Sequence, residues 1–272
     1  MEMRARAEEL LRGAFRESVW EPFREAVRRY GLIDPGDRIA VCISGGKDSM
    51  LLACLMRMLR EEGEIPFGLR YLIMDPGYNP ENRRRVEENA RALEIPYDLF
   101  ETDIFDVANA QEKNPCFLCA RMRRGHLYSR ARSLGCGKIA LGHHFDDAAE
   151  TTLMAALWGA QLQAMPPVLS SANFEGMTLI RPLYRVRERD IIAWKDACGL
   201  RFIQCACRFT ENLGGQAHTS KRQEVKELLR RLDAETPGTS DRLFESLHHL
   251  ELGTFPAWKS GGEKRSFLDG EE

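Results

Sequence analysis

Ser44-Gly45-Gly46-Lys47-Asp48-Ser49 is a short loop between two apolar runs, Ile39-Ala40-Val41-Cys42-Ile43 before it and Met50-Leu51-Leu52-Ala53-Cys54-Leu55-Met56 after it. The first run is rich in strand formers and follows the turn Asp34-Pro35-Gly36-Asp37; the second is made of helix formers. The order is therefore strand, loop, helix. Two adjacent glycines let the backbone turn tightly and bring its N–H groups up to an anion, while the N-terminus of the following helix adds partial positive charge and unpaired donors. Lys47 adds a full charge. The stretch reads as a phosphate-binding loop. Ser44, Gly45, Gly46, Lys47, Asp48 and Ser49 are its candidate ligands, and Lys47 and Asp48 are also candidates for the chemistry. The spacing is not that of the Walker loop, which places four residues between Gly and Gly-Lys.

Outward from this loop the chain alternates strand and helix. A second strand, Phe67 to Met74, ends at Asp75-Pro76-Gly77-Tyr78. A doubly wound sheet binds ligands at the carboxyl ends of its strands, which puts this corner beside the loop. Asp75 is a candidate for the nucleotide or its metal ion, or else an ordinary turn aspartate before proline. A polar helix over 80 to 94 carries Arg83, Arg84, Arg85 and Arg91 and precedes a third strand near Tyr97 to Glu101. Helical period from Leu127 to Leu134 stops at Gly135, and Lys138-Ile139-Ala140-Leu141 is a fourth strand.

That strand runs into Gly142-His143-His144-Phe145-Asp146-Asp147. Gly142 is placed with the cofactor. Carboxylates here suit Mg²⁺ on bound phosphates, and His143 suits acid-base or charge-stabilising work. Asp146 and Asp147 stand where an N-cap and first helical turn belong, which allows Asp146 to cap while Asp147 faces the site. Residues 160 to 175 read as an ordered excursion, followed by a strand at Met177 to Ile180 and a helix from about Arg187 to Ala197. The expected fold is α/β, a doubly wound, mainly parallel, Rossmann-like sheet. Amphipathic helices within 1–30 cover one sheet edge, 31–215 form the catalytic domain, 216–259 form two further helices, and 260–272 are a flexible tail.

Composition narrows the class. The formal net charge of -2 gives no global case for nucleic acid, so any RNA contact falls to local arginine clusters such as Arg121, Arg123 and Arg124. No apolar run approaches the roughly 18 residues of a membrane span, and the charged N-terminal stretch has no signal-peptide character. A cytoplasmic protein with no membrane partner is expected. In that setting the eight cysteines point to metal binding, catalysis or burial rather than to a disulfide framework. Cys116 and Cys119 form a CxxC, with zinc, an iron-sulfur cluster and a redox dithiol as its chemical readings. Cys205 and Cys207 lie beyond a later strand, where the loops of such a sheet converge. Cys42, Cys54, Cys136 and Cys198 read as small buried hydrophobes.

The loop closely resembles that of the PP-loop ATP pyrophosphatases, an adenine nucleotide alpha hydrolase-like superfamily in which it holds the pyrophosphate leaving ATP. Four further stretches are similar to the tRNA 2-thiocytidine synthetase (TtcA) family. They are Pro115 to Arg124, Lys138 to His144 with Asp146-Asp147, Met165-Pro166-Pro167, and Ile180-Arg181-Pro182-Leu183 with Arg187-Glu188 and Asp190.

The resemblance implies an ATP-dependent sulfurtransferase that adenylates O2 of a tRNA cytidine with Mg²⁺, then replaces that oxygen by sulfur delivered through a 4Fe-4S cluster. It assigns Cys116 and Cys119 to the cluster and to the chemistry, and the third cluster ligand to Cys207 or Cys205. The family carries a second CxxC where this chain has Cys205-Ala206-Cys207, so the choice between the two stays open. Partners implied are tRNA, a sulfur donor such as a cysteine desulfurase, and a second copy of the chain in a homodimer. Two other readings compete: a tRNA lysidine synthetase-like ligase, which has no use for the cysteines, and a nucleotide-binding protein with structural zinc.

Overall fold

The computed structural model describes residues 2–109, 115–203, 221–260 and 262–268. Its centre is a six-stranded sheet of β1 (Arg38–Ile43), β2 (Gly68–Asp75), β3 (Asp98–Glu101), β4 (Lys138–Ala140), β5 (Val168–Ser170) and β6 (Thr178–Ile180), in the order β3-β2-β1-β4-β6-β5. All neighbours are parallel except β5, which runs antiparallel to β6. The doubly wound, mainly parallel α/β fold is thus as the sequence predicts.

The apolar run before the loop is explained by burial on both faces of the sheet. Ile39, Val41 and Ile43 enter one core while Ala40 and Cys42 enter the other, the period of two that a strand imposes. On the first face lie α3 (Lys47–Glu62), α4 (Pro80–Ala92) and α8 (Glu188–Cys198), contributing Met50 and Leu51, Val86 and Ala90, and Ile191 and Trp194. On the second, α6 (Pro115–Ser133), which follows the short α5 (Ile104–Asn109), packs Tyr128 and Ala131 onto Leu72, Ile139 and Leu179.

The N-terminal helices correct one expectation. Helix α1 (Glu2–Arg12), a π-helical turn at Arg16–Trp20 and α2 (Glu21–Arg29) form an outer layer over α3 and α8 instead of covering a sheet edge. The reason is α3, which is buried almost all round from Ser49 to Leu59 and therefore needs partners on two sides. Ala7, Leu11 and Phe23 join the same core, Trp194 Nε1 donates to the Ala7 carbonyl at 3.4 Å, and the buried Arg57 reaches Glu8 Oε1 at 2.7 Å and the Leu93 carbonyl at 2.7 Å. Strand β5 was also hidden, falling inside the expected excursion. It is three residues long and exposed, so it carries no alternation to read.

The chain divides into two compact units, one of Met1–Ala148 with Met165–Thr219 and one of Ala149–Ala164 with Ser220–Glu272. Residues 149–164, which the sequence reading assigns to 31–215, thus associate with C-terminal helices. In the second unit the later part of α7 (Phe145–Gly159) meets α9 (Lys221–Glu235) and α10 (Thr239–Ser246) around Ala149, Val225 and Leu229. The nearly buried Glu150 is met by Arg222 Nη1 at 3.1 Å. The tail expected to fray from 260 instead forms part of a hairpin, β7 (Ala257–Ser260) with β8 (Glu263–Ser266), turning at Gly262, whose φ is +87°. Its Lys- and Glu-rich pattern concealed the strands because neither has a face in a core.

Candidate active site

The strand order reverses beside β1. Strands β2 and β3 extend the sheet on one side of it and β4 on the other, so the loops leaving the carboxyl ends of β1 and β4 flank the switch point where such sheets bind ligands. A cleft of about 490 Å³ opens there.

Its first wall is the loop 44–49. Gly45 has φ +82°, and a Cβ on it would strike Val86 Cγ2 and lie 2.8 Å from Ile203 Cδ1, so both conformation and space demand glycine. Gly46 is the N-cap of α3 and offers no side-chain cap, leaving the first-turn N–H groups for an anion. Ser49 closes the loop: its Oγ accepts from Ser44 N at 3.1 Å and donates to the Gly46 carbonyl at 3.0 Å. Tyr78 Oη donates to the Ser44 carbonyl at 3.1 Å from the corner after β2, and burial raises the Tyr78 pKa.

Lys47 does not line the cleft. Its Nζ lies 3.1 Å from Asp48 Oδ1 and 3.2 Å from Glu188 Oε1 at the start of α8. Burial works against its charge, but the two carboxylates outweigh burial and its pKa is raised. Asp48 does line the cleft, with its Oδ1 buried beside the Lys47 ammonium.

The second wall follows β4. A Cβ on Gly142 would lie 3.0 Å from the Asp48 carbonyl carbon and 3.0 Å from Ser49 N, so this glycine lets the β4 loop press against the first turn of α3. His143 lines the cleft, while His144 is buried as the N-cap residue of α7. Asp147 Oδ2 accepts from His144 N at 3.0 Å and Asp147 N donates to His144 Nδ1 at 3.4 Å, a reciprocal cap of the kind usually built with Ser and Glu. This corrects the expected division of labour. Asp147 both caps its own helix and lines the cleft, whereas Asp146 Oδ2 accepts from Glu188 N at 2.6 Å and its Oδ1 lies 3.4 Å from Arg187 Nε.

Asp75 is likewise a turn residue here. Oδ1 accepts from Gly77 N at 2.9 Å and Tyr78 N at 2.6 Å, Oδ2 is 3.3 Å from Arg83 Nη1, and the carboxylate does not line the cleft. Of the predicted residues, the cleft collects Ser44, Asp48, Ser49, Gly142, His143 and Asp147.

The third wall is one face of α6, Ala120, Arg123, Arg124 and Leu127, at the helical spacing of three and four. Cys119 is half-buried immediately before Ala120, and Cys116 lies on the same helix one turn earlier. The side chain of Cys116 and the whole of Cys205 and Cys207 lie outside the described residues. Cys42, Cys54 and Cys198 are buried, and burial pushes their thiols up to about 12, about 12 and about 11. Such thiols are poor metal ligands at neutral pH. Arg181, after β6, completes the cleft beside Met165. Sequence reasoning quoted Tyr78, Arg181 and Glu188 only as parts of motifs. Each gains its place through a tertiary contact that no local pattern announces.

Together, a parallel sheet, a glycine loop opening a helix at the switch point and a carboxylate beside it define a nucleotide-binding α/β protein of the PP-loop class. A PP-loop domain family model matches residues 18–208. The chain is 38% identical over 229 residues to the tRNA-cytidine(32) 2-sulfurtransferase of Anaeromyxobacter dehalogenans (strain 2CP-C), covering 83% of this chain and 77% of that one. It is 37% identical over 232 residues to the protein of that name from Neisseria meningitidis serogroup C (strain 053442), covering 83% and 70%. Among solved structures, the U34-tRNA thiolase NcsA from Methanococcus maripaludis with its [4Fe-4S] cluster shares the fold, with a TM-score of 0.65 and 23% identity over 85% of this chain and 79% of that one. The chain belongs to the tRNA 2-thiocytidine synthetase family of PP-loop enzymes.

Proposed function

We propose that this protein is an ATP-dependent tRNA sulfurtransferase that converts a cytidine to 2-thiocytidine. The observation that carries the reading is that the phosphate loop and the CxxC helix are two walls of one cleft. ATP phosphates fit the uncapped first turn of α3. Mg²⁺ fits Asp48 and Asp147, the two carboxylates among the described residues that line the cleft, each within 4.0 Å of His144 Nε2. An iron-sulfur cluster fits the donor set that remains once the buried thiols are set aside: Cys116, Cys119 and either Cys207 or Cys205. Such a cluster supplies a soft site from which sulfide reaches an activated carbon.

The chemistry then needs two displacements. Cytidine O2 attacks the α-phosphorus of ATP and pyrophosphate leaves toward the loop; a sulfur nucleophile adds at C2 and AMP departs with the former O2. Backbone N–H groups of 46–48 stabilise the charge on pyrophosphate. His143 faces the cleft, where a charge-stabilising or proton-holding role suits it. The ammonium of Lys47 is held by Asp48 and Glu188 at the start of the loop helix, and transfer of that cation to the phosphates of bound ATP suits its role in the loop. The arginines of α6 suit the backbone of an RNA whose target base is presented unstacked. A sulfur donor such as a cysteine desulfurase, a cytoplasmic setting and a homodimer complete the proposal. Among the described residues no helix is long and apolar enough to cross a membrane.

The test is incubation of anaerobically purified protein with tRNA, ATP, Mg²⁺ and sulfide, followed by mass spectrometry of the digested nucleosides. 2-Thiocytidine and AMP are expected. Lysidine, or AMP release with no sulfur in the RNA, overturns the reading.

A further inference from the structure

Arg181 stands apart among the cations of the cleft. It is 7% exposed and lines the cavity, yet among the described residues no carboxylate lies within ion-pairing distance of it. One guanidinium nitrogen, Nη1, donates to the Pro166 carbonyl, while the buried Nε has no hydrogen-bond partner. A buried cation with an unmatched donor is costly unless something supplies charge and acceptors. Its neighbours make the demand greater. Arg123 and Arg124 line the same cleft, and the Nε of Arg123, whose guanidinium lies 5.4 Å from the Phe105 ring centre, is also buried without an acceptor. Tyr184, Tyr128 and Asp147 bear on the Arg181 charge, and of these the carboxylate, Asp147, is occupied in capping α7. Consistent with an unbalanced cation, burial pushes the Arg181 pKa down to about 10, with Arg124 adding to the effect.

The position sharpens the point. Arg181 follows β6, and β4 separates β6 from β1, so the residue lies two strands from the loop 44–49. It therefore belongs to a different part of the cleft from the loop that receives pyrophosphate. The Pro166 contact occupies Nη1 and leaves Nε without an acceptor, and a guanidinium with donors to spare matches two oxygens of one phosphate.

We propose that Arg181 is a second phosphate-binding point of the cleft, separate from the loop, taking one phosphate group of a nucleotide unit. This rests on the reading of the cleft as the meeting place of ATP and RNA. Two sources share that chemistry, the α-phosphate of the nucleotide and a phosphodiester of the RNA strand beside the target base.

The experiment compares wild type, Arg181→Gln and Arg181→Lys in binding three probes by calorimetry: AMP, inorganic pyrophosphate and an anticodon stem-loop RNA. If the source is the nucleotide, Arg181→Gln weakens AMP at least tenfold and leaves pyrophosphate and RNA within twofold. If it is the RNA, the stem-loop weakens at least tenfold, its salt dependence loses about one phosphate contact, and AMP is unchanged. In either case Lys restores part of the loss. Arg181→Gln binding all three probes within twofold of wild type overturns the proposal while leaving the proposed function intact. Wild type binding neither AMP nor RNA overturns both. Should Arg181→Gln fail to fold, the Nε–H resonance of Arg181 in wild type serves instead: a shift on adding AMP or stem-loop supports the proposal, and a resonance unmoved by saturating amounts of both overturns it.

Discussion

The carboxylate of Asp146 accepts the backbone N–H of Glu188 at 2.6 Å, and the carboxylate of Glu188 in turn lies 3.2 Å from the ammonium of Lys47. An aspartate at the start of one helix thus caps another, and the capped helix supplies a counter-ion to the phosphate loop. Asp146→Ala removes that acceptor and the Arg187 contact together. A loss of about 1–2 kcal/mol in folding stability is expected, the range for a lost helix cap, and urea unfolding measures it. Asp147→Ala should cost a similar amount through α7, and should also weaken the response of nucleotide binding to Mg²⁺, which Asp146→Ala should leave in place.

Gly142→Ala tests the close approach of the two loops. The new Cβ, 3.0 Å from backbone atoms of Asp48 and Ser49, has no flexible side chain to push aside, so the first turn of α3 must move. ATP affinity is expected to fall at least tenfold in a titration, with the circular dichroism spectrum unchanged. Gly45→Ala is more severe, combining a clash at Val86 and Ile203 with a left-handed backbone that costs an L-residue about 1–2 kcal/mol.

Tyr78→Phe deletes one hydrogen bond, from Oη to the Ser44 carbonyl. The expected stability loss is about 1 kcal/mol. Because the lost contact holds the loop, the affinity for ATP should drop severalfold with the stoichiometry unchanged, both read in one calorimetric titration.

Burial of the thiols makes stability depend on alkaline pH. Cys42 and Cys54 are pushed up to about 12 and Cys198 to about 11, against an ordinary 9.0. Folded protein keeps protons that the unfolded chain releases. The contribution is fully present below about pH 9 and is lost as pH rises toward 12. Denaturant midpoints should fall between about pH 8 and about pH 10.5. The fall should be smaller in the double variant Cys54→Ala with Cys198→Ala, even though that variant starts less stable.

The elements that were legible from the chain are those whose signal is local. Strand β1, the glycine loop and helix α3 announce themselves by an apolar run, two glycines and a change of period, and the switch point follows from their alternation with β2 and β4. What was not legible depends on distant partners. Asp75, Asp146 and Asp147 are equivalent in sequence, each a carboxylate after a strand. Only the fold shows that the first is satisfied by its own turn, the second by α8, and that the third alone faces the cleft. The outer position of α1 likewise follows from the all-round apolarity of α3, which reads from sequence simply as a buried helix.

The second compact unit takes its strands and helices from two separated parts of the chain, Ala149–Ala164 and Ser220–Glu272. As a ribosome makes the protein from its N-terminus, Ala149, Leu153 and Met154 emerge well before Val225, Leu229 and Leu243, the residues that will cover them. Until then this stretch of the nascent polypeptide shows an apolar stripe to solvent, a natural hold-point for a chaperone and a delay set by the rate of translation. A message truncated before codon 220 would leave that stripe permanently bare, and its product is expected to aggregate or be degraded.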